Sequence, residues 1–361
     1  MSIIEDTAAY EAWLRSQCAV VEDDLLTKHE RMRKSPFIFL RATYYRWARR
    51  IAETSPELTD APAALCVGDI HLENFGTWRD ADGRWVWGVN DFDEAAVMPY
   101  VLDLVRLTTS VELAPKMEIG NRDAADAILE GYRRGLQRPG PALLDDHEMW
   151  IRSYVKCSDQ CRRKFWDEID GLTPADAIPS AVHKLLLGSL PGTGETPRFF
   201  RRAAGGGSLG RPRFVVVATW RGGRVVREAK ALVPSAWTWA KDKPQRKPAP
   251  QHRFIELSNG AHRAPDPFLR VYRTDEGDYV VRRLSADARK IDLGKEAGAD
   301  LKLVLLRGMG AELASVHAAD GRVSSTIAAD LRKRGSGWLH RASRAAREAT
   351  ERDYDVWCRR A

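Results

Sequence analysis

Between Gly68 and Arg106 the chain reads GDIHLENFGTWRDADGRWVWGVNDFDEAAVMPYVLDLVR, and few folds accommodate such a run. Leu65–Val67 is a short apolar strand that leads straight into Gly68-Asp69. Two segments, Asn74–Asp80 and Arg84–Asn90, flank Asp82-Gly83, a dipeptide that favours a tight hairpin turn. In the second strand Trp85, Trp87 and Val89 alternate. Asp91 therefore falls just past the end of a hairpin, where a loop carboxylate can face a ligand. Tyr100–Leu113 then reads as a helix with Leu102, Val105 and Leu113 inward.

The rest of the chain must complete a fold around this run. Its 361 residues suit two lobes better than one minimal core, and 44% hydrophobic with 30% charged residues is globular composition. Residues 1–34 are polar with Tyr10, Trp13 and Leu14 at helical spacing, and Ser35-Pro36 opens an aromatic-rich helix. Arg41 within that helix reads as an amphipathic edge or, alternatively, as an anion contact. Residues 122–190 read as mainly helical, and Pro-Gly pairs at 139–140 and 191–192 interrupt them. The texture then changes. RFVVVATW, RVVREAKALV and the two segments around Glu276-Gly277 are strands, so 191–287 reads as a compact β-rich lobe. From Lys295 the chain is helical again, ending in a helix over Leu339–Cys358 whose Arg341, Arg344 and Arg347 read as a solvated face.

Several function classes drop out. No window reaches the about 18 apolar residues of a membrane span. MSIIEDTAAYEAWL lacks the basic start and apolar core of a signal peptide, so the cytoplasm is the expected compartment. Five scattered cysteines do not make a disulfide framework. Cys157 and Cys161 are spaced to share a helix face, but no further zinc ligands lie near them, and buried thiols are the expectation. The net charge of +7 favours anionic ligands without naming one. The basic, Pro-rich stretch Lys241–His252 reads as a solvated connection rather than a nucleic-acid patch.

The acidic run supplies the parts of a phosphoryl-transfer site. Such chemistry needs a carboxylate to take the acceptor proton, an amide and a second carboxylate for magnesium, a glycine turn over the phosphates, and a lysine. Asp69 and Asn74 have D-x-x-x-x-N spacing, which lets a base and a metal-binding amide face one phosphate. Asp91 stands one hairpin later as the second metal ligand. Asp93 and Glu94 either add charge or cap the next helix, and Asp103 either braces the Asp69 loop or is a surface helix residue. His71 is expected to hold the loop by hydrogen bonds. In GGGSLG, the backbone of Gly205, Gly206, Gly207, Ser208 and Gly210 can cradle phosphates, with Ser208 at the tip. Lys230 is either the phosphate lysine or a solvated strand lysine.

Together, GDIHLENFG, VNDFDEA and YVLDLVRL resemble the aminoglycoside phosphotransferase and choline kinase branch of the protein-kinase-like fold. The chain more closely resembles a bacterial family catalogued as domain of unknown function 2252 (DUF2252). The shared segments are SPFIFLR at 35–41, GDIHLENFG at 68–76, NDFDE at 90–94, GGGSLG at 205–210, Lys230 in REAKAL, YVVRRL at 279–284, and ERDYDVW near the C-terminus. The likeness spans most of the chain. It implies an α+β, bilobal protein-kinase-like fold, with 191–287 as the small nucleotide-clamping lobe and 1–190 plus 288–361 as the mainly helical large lobe. Because the glycine turn and Lys230 follow Asp69 rather than precede it, the fold is expected to be circularly permuted. Gly310–His317 supports this, since it resembles the helix that directly precedes the catalytic loop in those phosphotransferases. The implied activity is ATP- and Mg²⁺-dependent phosphotransfer to a small-molecule hydroxyl. Where the family often reads Lys-Glu-Ala, this chain reads Lys230-Ala231-Leu232, which leaves Glu256 as an alternative partner for the lysine. The rival readings are a non-catalytic nucleotide-binding scaffold, adenylyl transfer on the same fold, and a nucleic-acid-binding protein.

Overall fold

A computed structural model of the protein describes residues 1–147, 149–192, 195–241, 250–290 and 298–360. Most of the basic stretch read at Lys241–His252 lies outside them. The architecture is mixed α+β. Four helices come first: α1 (Ile3–Gln17), α2 (Glu22–Met32), α3 (Pro36–Ala42) and α4 (Tyr44–Thr54). A Ser2–Glu5 capping box starts α1, and Ser35 with Pro36 at the first helical position starts α3.

The acidic run folds as its pattern predicts. Strand β1 (Ala63–Cys66) leads into the Asp69 loop, and β2 (Phe75–Arg79) and β3 (Trp85–Val89) form an antiparallel hairpin with Gly83 at φ +77°. Strand β4 (Ala96–Pro99) returns to pair with β1, and α5 (Val101–Leu113) runs back under the loop. Next come α6 (Asn121–Gln137), a short β5 (Ala142–Leu143) that extends the hairpin, α7 (Arg152–Val155) and α8 (Asp159–Asp170).

Beside the β1-β4 pair and the β2-β3-β5 sheet, a third sheet has six antiparallel strands in the order β10-β11-β9-β8-β7-β6: β6 (Thr173–Pro174), β7 (Arg198–Arg201), β8 (Arg213–Trp220), β9 (Gly223–Leu232), β10 (Arg270–Thr274) and β11 (Gly277–Leu284). The unbroken apolar run of β8 is explained by burial on both faces. Phe214 and Val216 pack on Val182 and Leu186 of α9 (Ser180–Gly188), while Val215 and Val217 pack near Ile169 of α8. The β-rich unit is thus not bounded at 191. Helices before that point cover the sheet, and Pro191-Gly192 is a turn inside the unit. Conversely, α10 (Ala236–Ala240) and α11 (Pro250–Ser258) leave the sheet and insert Trp237, Phe254 and Leu257 into the main core, which holds α1, α4, α5 and α6.

Three closing helices, α12 (Ala299–His317), α13 (Gly321–Lys333) and α14 (Trp338–Arg360), return to the helical body. Arg347 of α14 is not simply solvated, since its Nε lies 3.3 Å from the buried Glu112 carboxylate. Helix α12 packs on α6 at backbone distance. A Cβ at Gly310 would strike the Ile128 carbonyl oxygen, and one at Gly131 the Arg307 carbonyl oxygen. We expect Gly310→Ala to cost about 3 kcal/mol, because overpacking there must push a pair of helix backbones apart rather than move one side chain. Urea unfolding measures this, and a loss under about 1 kcal/mol would mean the helices slide apart freely. Among the described residues, no helix is long and apolar enough to cross a membrane.

Candidate functional site

Helix α5 holds the floor of the site from two positions three residues apart, which share one helix face. Asp103, fully buried, accepts the backbone N–H of Val67 at 2.7 Å and of Gly68 at 2.9 Å. Its Oδ2 also lies 3.1 Å from Nε2 of His317, whose Nδ1 meets the Tyr132 hydroxyl at 2.7 Å. Of the two readings of Asp103, the brace is the one observed. Gly68 stands at φ +83°, and a Cβ there would strike the Glu94 carbonyl, so the chain turns at glycine and delivers Asp69 upward. Arg106 then grips Asp69 Oδ1 through Nη2 (2.5 Å) and Nε (3.1 Å), and also donates to the Leu40 carbonyl at 2.9 Å. Burial raises the Asp69 carboxyl to about 7, although the Arg106 guanidinium pulls the other way.

One turn on, the His71 N–H donates to Asn74 Oδ1 at 3.0 Å, and His71 Nδ1 accepts from the Glu73 N–H at 3.1 Å. Burial, with Arg41 and Lys290 nearby, holds the imidazole well below its ordinary pKa and therefore neutral. It organises the loop and orients the Asn74 amide.

The hairpin ends in Asp91-Phe92-Asp93, where strand alternation still governs direction. Phe92 turns into the core against Phe254, while Asp91 and Asp93 face the cavity. The Asp91 side chain is 44% exposed and that of Asp93 only 7%. Lys230 from near the end of β9 sits between them, with Nζ 3.6 Å from Asp91 Oδ1 and 2.6 Å from Asp93 Oδ2. Burial works to raise Asp91, but Lys230, Arg282 and Lys290 prevail and hold it far below the carboxylate range. Burial and the Asp91 charge raise Asp93. Asp93 Oδ1 is buried without a hydrogen-bond partner. Glu94 is a structural clasp, accepting from Arg211 at 2.6 Å and from the Ala236 N–H at 2.6 Å.

The glycine turn between β7 and β8 closes on this floor. Gly205 stands at φ +88°. A Cβ at Gly207 would lie 2.9 Å from the Arg41 carbonyl oxygen and 3.2 Å from Asp69 Oδ2. Ser208 Oγ accepts from Arg213 Nη2 at 3.0 Å. Arg213 in turn belongs to a cluster around the fully buried Glu228, which also binds Arg202 at 2.5 Å and Arg282 at 2.8 Å. Glu228 and Lys230, two apart on one strand, share the face toward the cavity.

Asp69, Asn74, Asp91, Gly205, Gly206, Gly207 and Ser208 thus line one cavity of about 700 Å³ counted to its open mouth, and Lys230 reaches it through its ion pairs. Gly210 is not on that wall. Its φ of +95° and its contact with Leu25 make it a turn against α2. Nor does Glu256 reach Lys230, for it pairs with Arg253 at 3.0 Å.

Sequence reasoning missed Lys28, Tyr10, Arg211 and Lys290, which also line the cavity. Lys28 donates to the Gly207 carbonyl at 3.3 Å and lies over the Tyr10 and Tyr45 rings, and burial lowers it to about 8. Arg41, read mainly as a helix edge, lines the cavity as well and pairs with Glu73 at 2.9 Å. Nothing in the local pattern of α2 distinguishes Lys28 from an ordinary helix lysine, and only the turn folding over it does so.

A second, more apolar cavity of about 540 Å³ opens on the far side of Asn90 and Arg282, between the hairpin and β11. Trp78, Val89, Phe92 and Leu269 form its walls, with Asp266 as a carboxylate at the edge. Elsewhere, Cys66, Asp103 and His317 bring donor atoms within 4.8 Å of one another. Each already has a partner in the buried network, so the trio is a brace.

A family profile described as an uncharacterized protein conserved in bacteria (DUF2252) matches residues 20–155 and 199–360. No curated protein and no solved structure matches the chain.

Proposed function

The chain belongs to the DUF2252 family, whose profile takes in both the acidic floor and the glycine turn, and from that premise we propose an ATP- and Mg²⁺-dependent phosphotransferase acting on a small-molecule hydroxyl, on a circularly permuted, bilobal protein-kinase-like fold. One observation carries the reading: Gly207 lies so close to Asp69 Oδ2 that a Cβ would stand 3.2 Å away. A turn rich in backbone N–H groups and a carboxylate raised to about 7 thus meet over the same few ångströms. That is where a transferring phosphoryl group and its accepting hydroxyl must meet.

The donor atoms fit magnesium. Asp91 is ionised and open to the cavity, Asp93 Oδ1 is buried without a partner, and Asn74 adds an amide oxygen, an all-oxygen set suited to a hard cation. Bound there, the ion would neutralise charge on the phosphates. Asp69 orients the acceptor and takes its proton. Lys230 and the backbone at 205–208 hold phosphate oxygens, and Arg213 fixes Ser208 at the tip. The apolar cavity beside Trp78 and Leu269 has the size and lining for a nucleobase, and Asp266 can accept from an exocyclic amine. Lys230 does not lack an acidic partner, since Asp93 supplies one. This weakens the case for a catalytically silent scaffold.

The test is thermal unfolding with ATP, with and without Mg²⁺. At about a hundredfold excess over Kd, ATP with Mg²⁺ should stabilise the wild type by about 2.7 kcal/mol. Asp91→Ala should lose the portion that depends on Mg²⁺. If nucleotide stabilises neither protein, the reading fails. Products then separate the chemistries: ADP marks phosphoryl transfer, while AMP-linked product with pyrophosphate marks adenylyl transfer.

A further inference from the structure

Outside the cavity, one cluster brings reactive groups together. Cys157 lies just before α8 and Cys161 in its first turn, where the Cys161 N–H donates to the Ser158 hydroxyl at 3.2 Å. Their sulfurs stand 2.7 Å apart. That is closer than unbonded sulfurs sit and about 0.7 Å from bonding distance. The two thiols differ. Cys161 is half-buried, and the Arg289 guanidinium rests on its sulfur. Cys157 is buried, and burial together with Cys161 pushes its thiol up to about 11. Charge that develops on the Cys161 sulfur as it reacts therefore meets the Arg289 cation at the amino end of a helix, while burial favours the protonated form of Cys157.

Arg289 leads from this cluster to the cleft. Its carbonyl accepts from the Thr77 N–H at 2.9 Å, its N–H donates to Thr77 Oγ1 at 3.0 Å, and that hydroxyl donates to the Asp287 carbonyl at 2.7 Å. These bonds lay residues 287–289 across strand β2 of the hairpin. The next residue, Lys290, lines the cavity and helps hold Asp91 ionised.

We propose that Cys157 and Cys161 form a hydroperoxide-responsive thiol pair whose closure to a disulfide loosens the 287–290 strap on the hairpin. In the first step the Cys161 thiolate attacks one oxygen of hydrogen peroxide. The O–O bond breaks, hydroxide leaves and takes up a proton to become water, and Cys161 becomes a sulfenic acid. In the second step the Cys157 sulfur, giving up its proton, attacks the Cys161 sulfur and displaces the hydroxyl as water. Two thiols are oxidised by two electrons and one peroxide is reduced to two waters. The product leaves Arg289 facing a neutral, displaced sulfur. The strap then keeps its bonds to Thr77 but loses this charge-assisted contact.

The experiment treats the full-length protein with hydrogen peroxide and maps its peptides. The segment holding both cysteines should lose two hydrogens, resist alkylation, and recover on adding dithiothreitol. Cys157→Ser should stop at a sulfenic acid on Cys161, trapped by dimedone, while Cys161→Ser should leave Cys157 a free thiol. Amide exchange at Arg289 should quicken about tenfold in the oxidised wild type, the loss of roughly one charge-assisted contact, and stay unchanged in Cys161→Ser. Two results overturn the proposal. In one, both thiols remain alkylatable after peroxide while the exposed Cys358 reacts. In the other, the disulfide forms and strap exchange does not change. Neither readout requires nucleotide or turnover, so this proposal stands or falls separately from the phosphotransferase reading.

Discussion

Replacing Asp69 with asparagine should lower turnover by about a thousandfold, within the range for loss of a positioned general base, while ATP affinity stays near that of the wild type. The geometry separates the two effects. Asparagine preserves the shape against Arg106 and Gly207 but cannot take a proton, and Asp91, Lys230 and the glycine turn, assigned to metal and phosphate, lie on other elements. The wild type should also show an acid limb. Burial places the Asp69 carboxyl near 7, so it is protonated and idle below that value, and turnover should climb through about pH 7 to a plateau. The linkage to stability has the opposite sense. The folded carboxyl holds its proton more tightly than the unfolded chain does, so its contribution is complete in acid and fades as pH rises through about 7. Rate measured against pH decides the matter. A profile flat from pH 5 to 9, with Asp69→Asn turning over at the wild-type rate, would remove Asp69 from the chemistry.

Asp103→Ala should be the most damaging substitution for the fold, destabilising it by about 4 kcal/mol, comparable to breaking a buried ion pair. Alanine would orphan the N–H groups of Val67 and Gly68 and leave His317 without its carboxylate, all in a fully buried pocket. The damage also has a direction. Val67 and Gly68 aim Asp69, so activity should fall further than the unfolded fraction explains. Asp103→Asn, which keeps one acceptor oxygen, should fall between the two. Urea unfolding tests this, and a loss below about 1 kcal/mol would mean that water replaces the carboxylate.

Much of the site is legible in the chain because its components are local. Asp82-Gly83 sets the hairpin register, that register determines which way Asp91 and Asp93 point, and the helix repeat places Asp103 and Arg106 on one face. What was not legible depends on closure between distant segments. Lys28 becomes a cavity residue only because Gly207, far along the chain, folds over it. The partner of Lys230 is Asp93 rather than Glu256, because β9 crosses the end of the hairpin while α11 pairs internally. The β-rich unit was misbounded for a related reason. Pro191-Gly192 looks like a boundary in composition, yet the apolar side chains of α9 before it fit only the sheet after it.

The ammonium lodged between Asp91 and Asp93 has a consequence for sequence of arrival. A bare divalent ion entering that notch meets an occupant of its own sign and offers it nowhere to go. An ion already riding on a polyphosphate brings oxygens to which the lysine can transfer. Under the proposed reading the cleft would keep its own stopper in place, turning away a loose cation and yielding to one that comes escorted.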